Sequence, residues 1–104
     1  MMSAKNQTPE QACQKMIKSF FAKYPNPHLK TEAGRIFKEF LTQKIDMRGK
    51  PGGWAGGIIY AAANRYSRAC GVPGLLNKDF EEFFETSMSV IYKRAARFRW
   101  PWMY

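Results

Sequence analysis

Apolar residues recur along this chain at helical spacing, in five blocks separated by proline, glycine and short polar stretches. In the first block, Ala12, Cys13, Met16, Ile17, Phe20 and Phe21 mark one face at the i, i+3, i+4 rhythm of a half-buried helix. Thr8, Pro9 and Gln11 stand before it as a capping box with proline at the first helical position. "YPNPH" ends that helix, because two prolines cannot continue it, and His28 falls in the resulting surface loop. A second stripe of Ala33, Ile36, Phe37, Phe40, Leu41 and Ile45 predicts a helix starting near Thr31 and fading at "DMRGK".

The third block differs. "KPGGWAGGIIYAAANRY" packs Gly52, Gly53, Gly56 and Gly57 into six residues, yet Trp54, Ile58, Ala61, Ala62, Arg65 and Tyr66 keep the helical rhythm. A glycine inside a helix costs about 1 kcal/mol against alanine, so four of them need a reason. A phosphate-cradling loop would close on Lys-Ser/Thr after a strand, or would follow a strand and precede an acid. Here Gly56-Gly57 runs into Ile58-Ile59 and no strand precedes. Packing is the alternative. A helix small or apolar on most faces is buried among others, and missing side chains let neighbouring backbones approach. The prediction is a central helix from about Gly52 to Cys70. The first glycines start it, and neighbours press in at Gly56 and Gly57. Trp54 buries on the order of 200 Å² at its start. Gly71 and Val72-Pro73 stop it.

Asn77 is placed to cap a short fourth helix with Phe80, Phe83 and Phe84 inward. "ETS" breaks it, with Glu85 or Thr86 where a turn favours glycine. Ser87 then caps a fifth helix from about Met88 to Phe98, with Ile91, Ala95 and Phe98 inward. No alternating strand pattern appears. The chain is predicted all-α: a flexible N-terminus over 1–7, one helical domain over 8–98, and an aromatic tail over 99–104.

Of the 104 residues, 45% are apolar and 15% aromatic, too rich for a disordered chain. The N-terminal stretch "MMSAKNQTPEQ" has no apolar core segment, so no secretory signal is expected. The longest nearly uncharged run, Pro51 to Asn64, is shorter than the roughly 20 residues of a membrane span. The expected location is cytoplasmic. Two cysteines, Cys13 and Cys70, and one histidine fall short of the about four ligands of a structural zinc site, so no metal is expected. A Cys13–Cys70 disulfide is the alternative to two buried thiols. No Ser/His/Asp or Cys/His arrangement and no framed pair of carboxylates stands out, so neither catalytic residue, cofactor nor small-molecule substrate is expected, and the chain is not read as an enzyme.

Charge changes the picture. There are 17 Lys+Arg against 8 Asp+Glu, a net +9. Met47 to Lys78 and Thr86 to Tyr104 contain no acid, while half the acids sit in "NKDFEEFFE". Such an excess suits a polyanion, either nucleic acid or an anionic membrane surface.

"RGKPGGWAGGIIYAAANRYSRACGVP" and "DFEEFFETSMSVIYKRAARF" together resemble a single cyclin-box repeat of the transcription factor IIB type, over about Gly49 to Phe98. An uncharacterised group of short bacterial helix-turn-helix domains is similar too, including the Trp54-Ala55 pair. The resemblance implies a five-helix cyclin-box-like orthogonal bundle around its third helix, closed by a helix-turn-helix. Ile91 matches an apolar position of its last helix, and Lys93-Arg94 its basic pair. In a helix-turn-helix, the recognition helix offers its first residues to bases and its flanks to phosphates. Ser89, Tyr92 and Lys93 are then expected nearest the bases, and Arg94, Arg97 and Arg99 at phosphates. Arg48, Lys50 and Lys78 are expected as backbone contacts. Duplex DNA is the expected partner, in transcription-related regulation and associated with the nucleoid. The alternative is the same fold as a protein–protein module. Trp100, Trp102 and Tyr104 then dock on their own domain, a second copy or a partner, or else stack on bases or enter a membrane interface beside Arg97 and Arg99. Glu81, Glu82 and Glu85 lie where standard docking would bring DNA; they pair with Lys93, Arg94 or Arg97, or mark an edge facing away.

Overall fold

A computed structural model describes residues 8–43, 46, 47, 49–67, 72 and 74–99; of Tyr66, Ser67 and Arg99 only the helical backbone is described. The described chain is all-helical: α1 (Pro9–Lys23), α2 (Pro27–Thr42), α3 (Pro51–Ser67), α4 (Asn77–Phe84) and α5 (Met88–Arg99). No strand occurs among the described residues.

Local chemistry sets the starts. Thr8 Oγ1 accepts from the Gln11 N–H, and Gln11 Oε1 accepts from the Thr8 N–H, both at 3.1 Å, so the capping box is complete. Unlike the expected start at Thr31, α2 begins at Pro27. The second proline is harmless at the first helical position, where its missing N–H would have no partner anyway. Asn26 Oδ1 accepts from the Leu29 N–H at 3.2 Å, which fixes the start. His28 therefore lies exposed in the first turn of α2 rather than in a loop. In α4 the cap position is Leu76, not Asn77; Asp79 Oδ2 accepts from the Leu76 N–H at 2.9 Å. Ile45 and 68–71, the expected end of the third helix, lie outside the described residues.

α3 packs against each of the other four helices, most extensively against α5. Every residue from Gly52 to Ile59 is buried, including Trp54, Ile58 and Ile59. Burying each large side chain is worth about 2–3 kcal/mol. Around α3 the aromatic residues form two groups. Phe20 of α1 meets Phe80, Phe83 and Phe84 of α4, each with centroids 5.5 Å away. Trp54 meets Phe40 of α2 at 5.3 Å and Phe98 of α5 at 6.0 Å. Leu41, read as part of the inward stripe, is instead 42% exposed. Cys13 is a buried free thiol; burial, reinforced by Glu10, pushes its pKa from 9.0 up to about 12. Cys70 lies outside the described residues.

All four glycines of α3 act as contact points, not only the later pair. A Cβ on Gly52 would strike the Phe84 carbonyl. One on Gly53 would stand 2.9 Å from Val90 Cγ1, and one on Gly56 3.1 Å from Ile91 Cγ1. One on Gly57 would stand 2.7 Å from Arg94 Cβ and 3.0 Å from the Ala95 nitrogen. The glycines form a trough into which α5 and the end of α4 settle.

Candidate nucleic-acid interface

The turn into α5 is held by the Glu81 carboxylate and by backbone bonds, without a glycine. Glu85 takes the left-handed conformation at φ 55°. Its neighbour Thr86 donates its N–H to the Glu81 carbonyl at 3.3 Å, closing the end of α4. Glu81 Oε2 accepts from the Met88 N–H at 2.8 Å, and Ser87 Oγ from the Val90 N–H at 3.4 Å. Glu81 thus satisfies an otherwise unpaired donor and places negative charge at the positive end of α5. That role was not anticipated: Glu81 stands in α4, six residues before Ser87 (87 − 81), outside any local capping pattern.

Met88, Ile91, Ala95 and Phe98 bury the inner side of α5, while Ser89, Lys93, Ala96 and Arg97 are exposed on its outer side. Tyr92 is 44% exposed, but its hydroxyl is engaged. It accepts from Asn77 Nδ2 at 3.2 Å, and its ring lies 5.2 Å from that of Tyr60. The expected Asn77 cap is therefore replaced by a strut from α4 to α5. Tyr92 leans toward α4 instead of standing free over the outer face.

Arg94 departs furthest from expectation. The sequence places it among the phosphate contacts at the margin of α5. In the structure it is half-buried, with its guanidinium carbon 4.3 Å from the Trp54 ring centroid. Its stem fills the trough over Gly53 and Gly57, and Nη2 reaches Gly49, where an added Cβ would lie 3.4 Å away. Nε is shielded from water and has no hydrogen-bond partner among the described residues. The physical reason is the trough: without side chains at the glycines, a long aliphatic stem fills space that water would otherwise occupy.

Lys50, just before α3, is exposed and adjoins Gly49, on the Arg94 flank of α5. Lys78 is exposed in the first turn of α4, beside the Asn77–Tyr92 contact, on the opposite flank. The structure therefore brings the residue before Lys50 against Arg94, and places Lys78 beside the contact that ties α4 to α5. Arg48, Trp100, Trp102 and Tyr104, and the side chain of Arg99, lie outside the described residues.

Neither α3 nor α5 contains an acid. Among the described residues, Lys50, Lys78, Lys93, Arg94 and Arg97 form no ion pair with a carboxylate. The acids of α2 are engaged on the far side of α3: Arg65 Nε lies 3.3 Å from Glu32 Oε2 and Nη1 3.5 Å from Glu39 Oε1. Glu82 and Glu85 are exposed, and the expected pairing of the α4 acids with Lys93, Arg94 or Arg97 does not occur among the described residues.

Two further features bear on binding. An open groove of about 270 Å³ lies between the end of α1 and Val72, Gly74 and Leu75, lined also by Phe20, Lys23 and Tyr24. Leu76 next to it is 69% exposed. Among the described residues there is no cluster of His, Cys, Asp and Glu able to hold a metal, and no helix long and apolar enough to cross a membrane. No protein-family model, curated protein or solved structure matches the chain.

Proposed function

We propose that this chain binds duplex DNA through the outer face of α5, as a single cyclin-box-like domain serving transcription-related regulation at the nucleoid. The observation that carries this reading is the exposed, acid-free face of α5. Lys93 and Arg97 are presented there without carboxylate partners, on a helix fixed at its start by Glu81 and along its length by the glycine trough. A rigid cationic helix beside a tight turn suits a helix-turn-helix, with Ser89 toward base edges and Lys93 and Arg97 toward phosphate. The resemblance of Gly49 to Phe98 to the transcription factor IIB repeat supports the same reading. No catalytic step is assigned to the chain.

The test is a titration of labelled random duplex DNA, followed by anisotropy at about 50 and 200 mM salt. About five phosphate contacts give a log–log slope near −4 to −5. Lys93→Ala with Arg97→Ala should remove most binding while the far-ultraviolet dichroism stays unchanged. Absence of binding at low salt would refute the proposal, as would indifference to the double change.

The second reading, a protein–protein module, is favoured by Leu76 at 69% exposure beside the Tyr24–Leu75 groove. It predicts no salt-dependent DNA binding, and capture of a partner that Leu76→Asp abolishes.

A further inference from the structure

Binding by α5 leaves undefined which side of the helix the sugar–phosphate backbone follows. We infer that it follows one flank only. The phosphates run along Lys93 and Arg97, past the outer edge of Arg94, to Lys50 at the start of α3, and the α4 side stays clear of DNA. This inference rests on the duplex-binding reading above and adds its orientation.

Three observations carry it. First, Arg97 follows Lys93 by four residues and Arg94 by three, so the three are neighbours on one side of α5. Arg94 extends that line across the trough, because its Nη2 lies against Gly49, the residue before Lys50. Four cations, three from α5 and one from the loop before α3, thus form one strip, although Lys50 and Lys93 are 43 positions apart (93 − 50 = 43).

Second, Arg94 is electrostatically incomplete. Its Nε is withdrawn from water without a partner, and no carboxylate compensates its charge among the described residues. A partly desolvated charge favours a counter-charge strongly. The guanidinium is half-buried, and its Nη2 lies against Gly49, the residue before Lys50, where a counter-charge would complete it. A phosphate there would be held by a planar donor already fixed against Trp54.

Third, the other flank repels. Tyr92 ties α5 to Asn77, and beyond that contact lies Lys78. Glu81 and Glu82 follow Lys78 by three and four residues, which places both beside it on the surface of α4. Glu81 and Asp79 accept backbone N–H groups, but Glu82 and Glu85 stand exposed. A phosphate approaching Lys78 meets this acidic edge; one approaching Lys50 meets a helix start with no acid in its first turn.

The experiment compares slopes of log K against log salt for labelled duplex DNA with the full chain and with Lys50→Ala, Lys78→Ala, Lys93→Ala/Arg97→Ala and Lys15→Ala/Lys18→Ala. All the substituted side chains are exposed, so each variant is expected to fold, which thermal melting verifies. Lys50→Ala should reduce the slope by about one, and Lys93→Ala/Arg97→Ala by about two. The α1 pair reports the non-specific background and should leave the slope unchanged. A slope unaltered by Lys50→Ala overturns the inference, and so does a loss of about one on Lys78→Ala. If Lys93→Ala/Arg97→Ala still weakens binding in those cases, only the orientation fails. If the double change has no effect, or the unmodified chain does not bind, the duplex reading fails and the orientation with it.

Discussion

Replacing Gly57 and Gly34 by alanine should move stability in opposite directions, although both glycines lie inside helices. At Gly34 on α2 nothing lies within 4 Å of an added Cβ. Alanine there gains helix propensity and restricts the unfolded chain, a stabilisation of about 0.5–1 kcal/mol. At Gly57 the same methyl would stand 2.7 Å from Arg94 Cβ, 3.0 Å from the Ala95 nitrogen and 3.1 Å from the Arg94 carbonyl carbon. Ordinary contact begins near 3.4 Å, so α5 must retreat by about 0.7 Å (3.4 − 2.7). Two of the three atoms are backbone, so no rotamer change relieves the clash. Retreat of α5 loosens Ile91 over Gly56 and Phe98 over Trp54. Overpacking of this kind costs about 3 kcal/mol at the upper end of its usual range, offset by about 1 kcal/mol of propensity. The net loss is about 2 kcal/mol, or roughly 10 °C in Tm for a domain of this size. Urea unfolding followed by circular dichroism, with a constant m-value, measures both variants. Shifts of the same sign would refute the trough as the reason for the glycines.

Arg94→Met keeps the stem in the trough, loses a cation–π contact of about 0.5–2 kcal/mol and removes an unpaired Nε costing about 1–3 kcal/mol. Its unfolding free energy from urea titration should therefore lie within about 1 kcal/mol of the unmodified chain's, whereas Arg94→Ala should lose about 2 kcal/mol or more. Equal losses in the two variants would mean that charge, not packing, holds Arg94 in place. Cys13 is the third case. Folding raises its pKa from 9.0 to about 12, so the fold favours the neutral thiol. Its contribution is intact below pH 9 and declines as pH rises toward 12, by up to about 1.4 kcal/mol per unit. Stability against pH should fall more steeply for the unmodified chain than for Cys13→Ala across that window; parallel curves would contradict the burial of the thiol.

Much of the fold was legible because its signals are local. Thr8 and Gln11 make the box their spacing announces, and Ser87 caps α5. The start of α2 was misread for a reason equally local. Pro27 breaks a helix from inside but begins one at its first position, and the same letter stands for both. The correcting signal was present: Leu29 precedes Ala33 and Ile36 by four and seven residues and belongs to their stripe. Leu41 was misread the other way. Next to buried Phe40 it falls just past the edge of the inward arc, and apolarity alone does not bury a side chain.

Arg94 was not legible, because its position depends on residues 37 to 45 places earlier in the chain (94 − 57 and 94 − 49). A helical wheel of α5 puts it at the margin, where an arginine reads as solvated. Only the absence of side chains at Gly53 and Gly57 makes room for its stem, and only Trp54 between them supplies a surface for its guanidinium. The glycine-rich helix and the basic helix are therefore one device. Small residues lower α5 onto α3 and draw one of its cations sideways toward Gly49. That leaves Lys93 and Arg97 outward and sets Arg94 against Gly49, the residue before Lys50. A bulkier α3 could form an equally apolar core, but it would hold α5 farther away. Its cations would then lie on separate surfaces, and the strip that gives the proposed DNA contact its direction would not form.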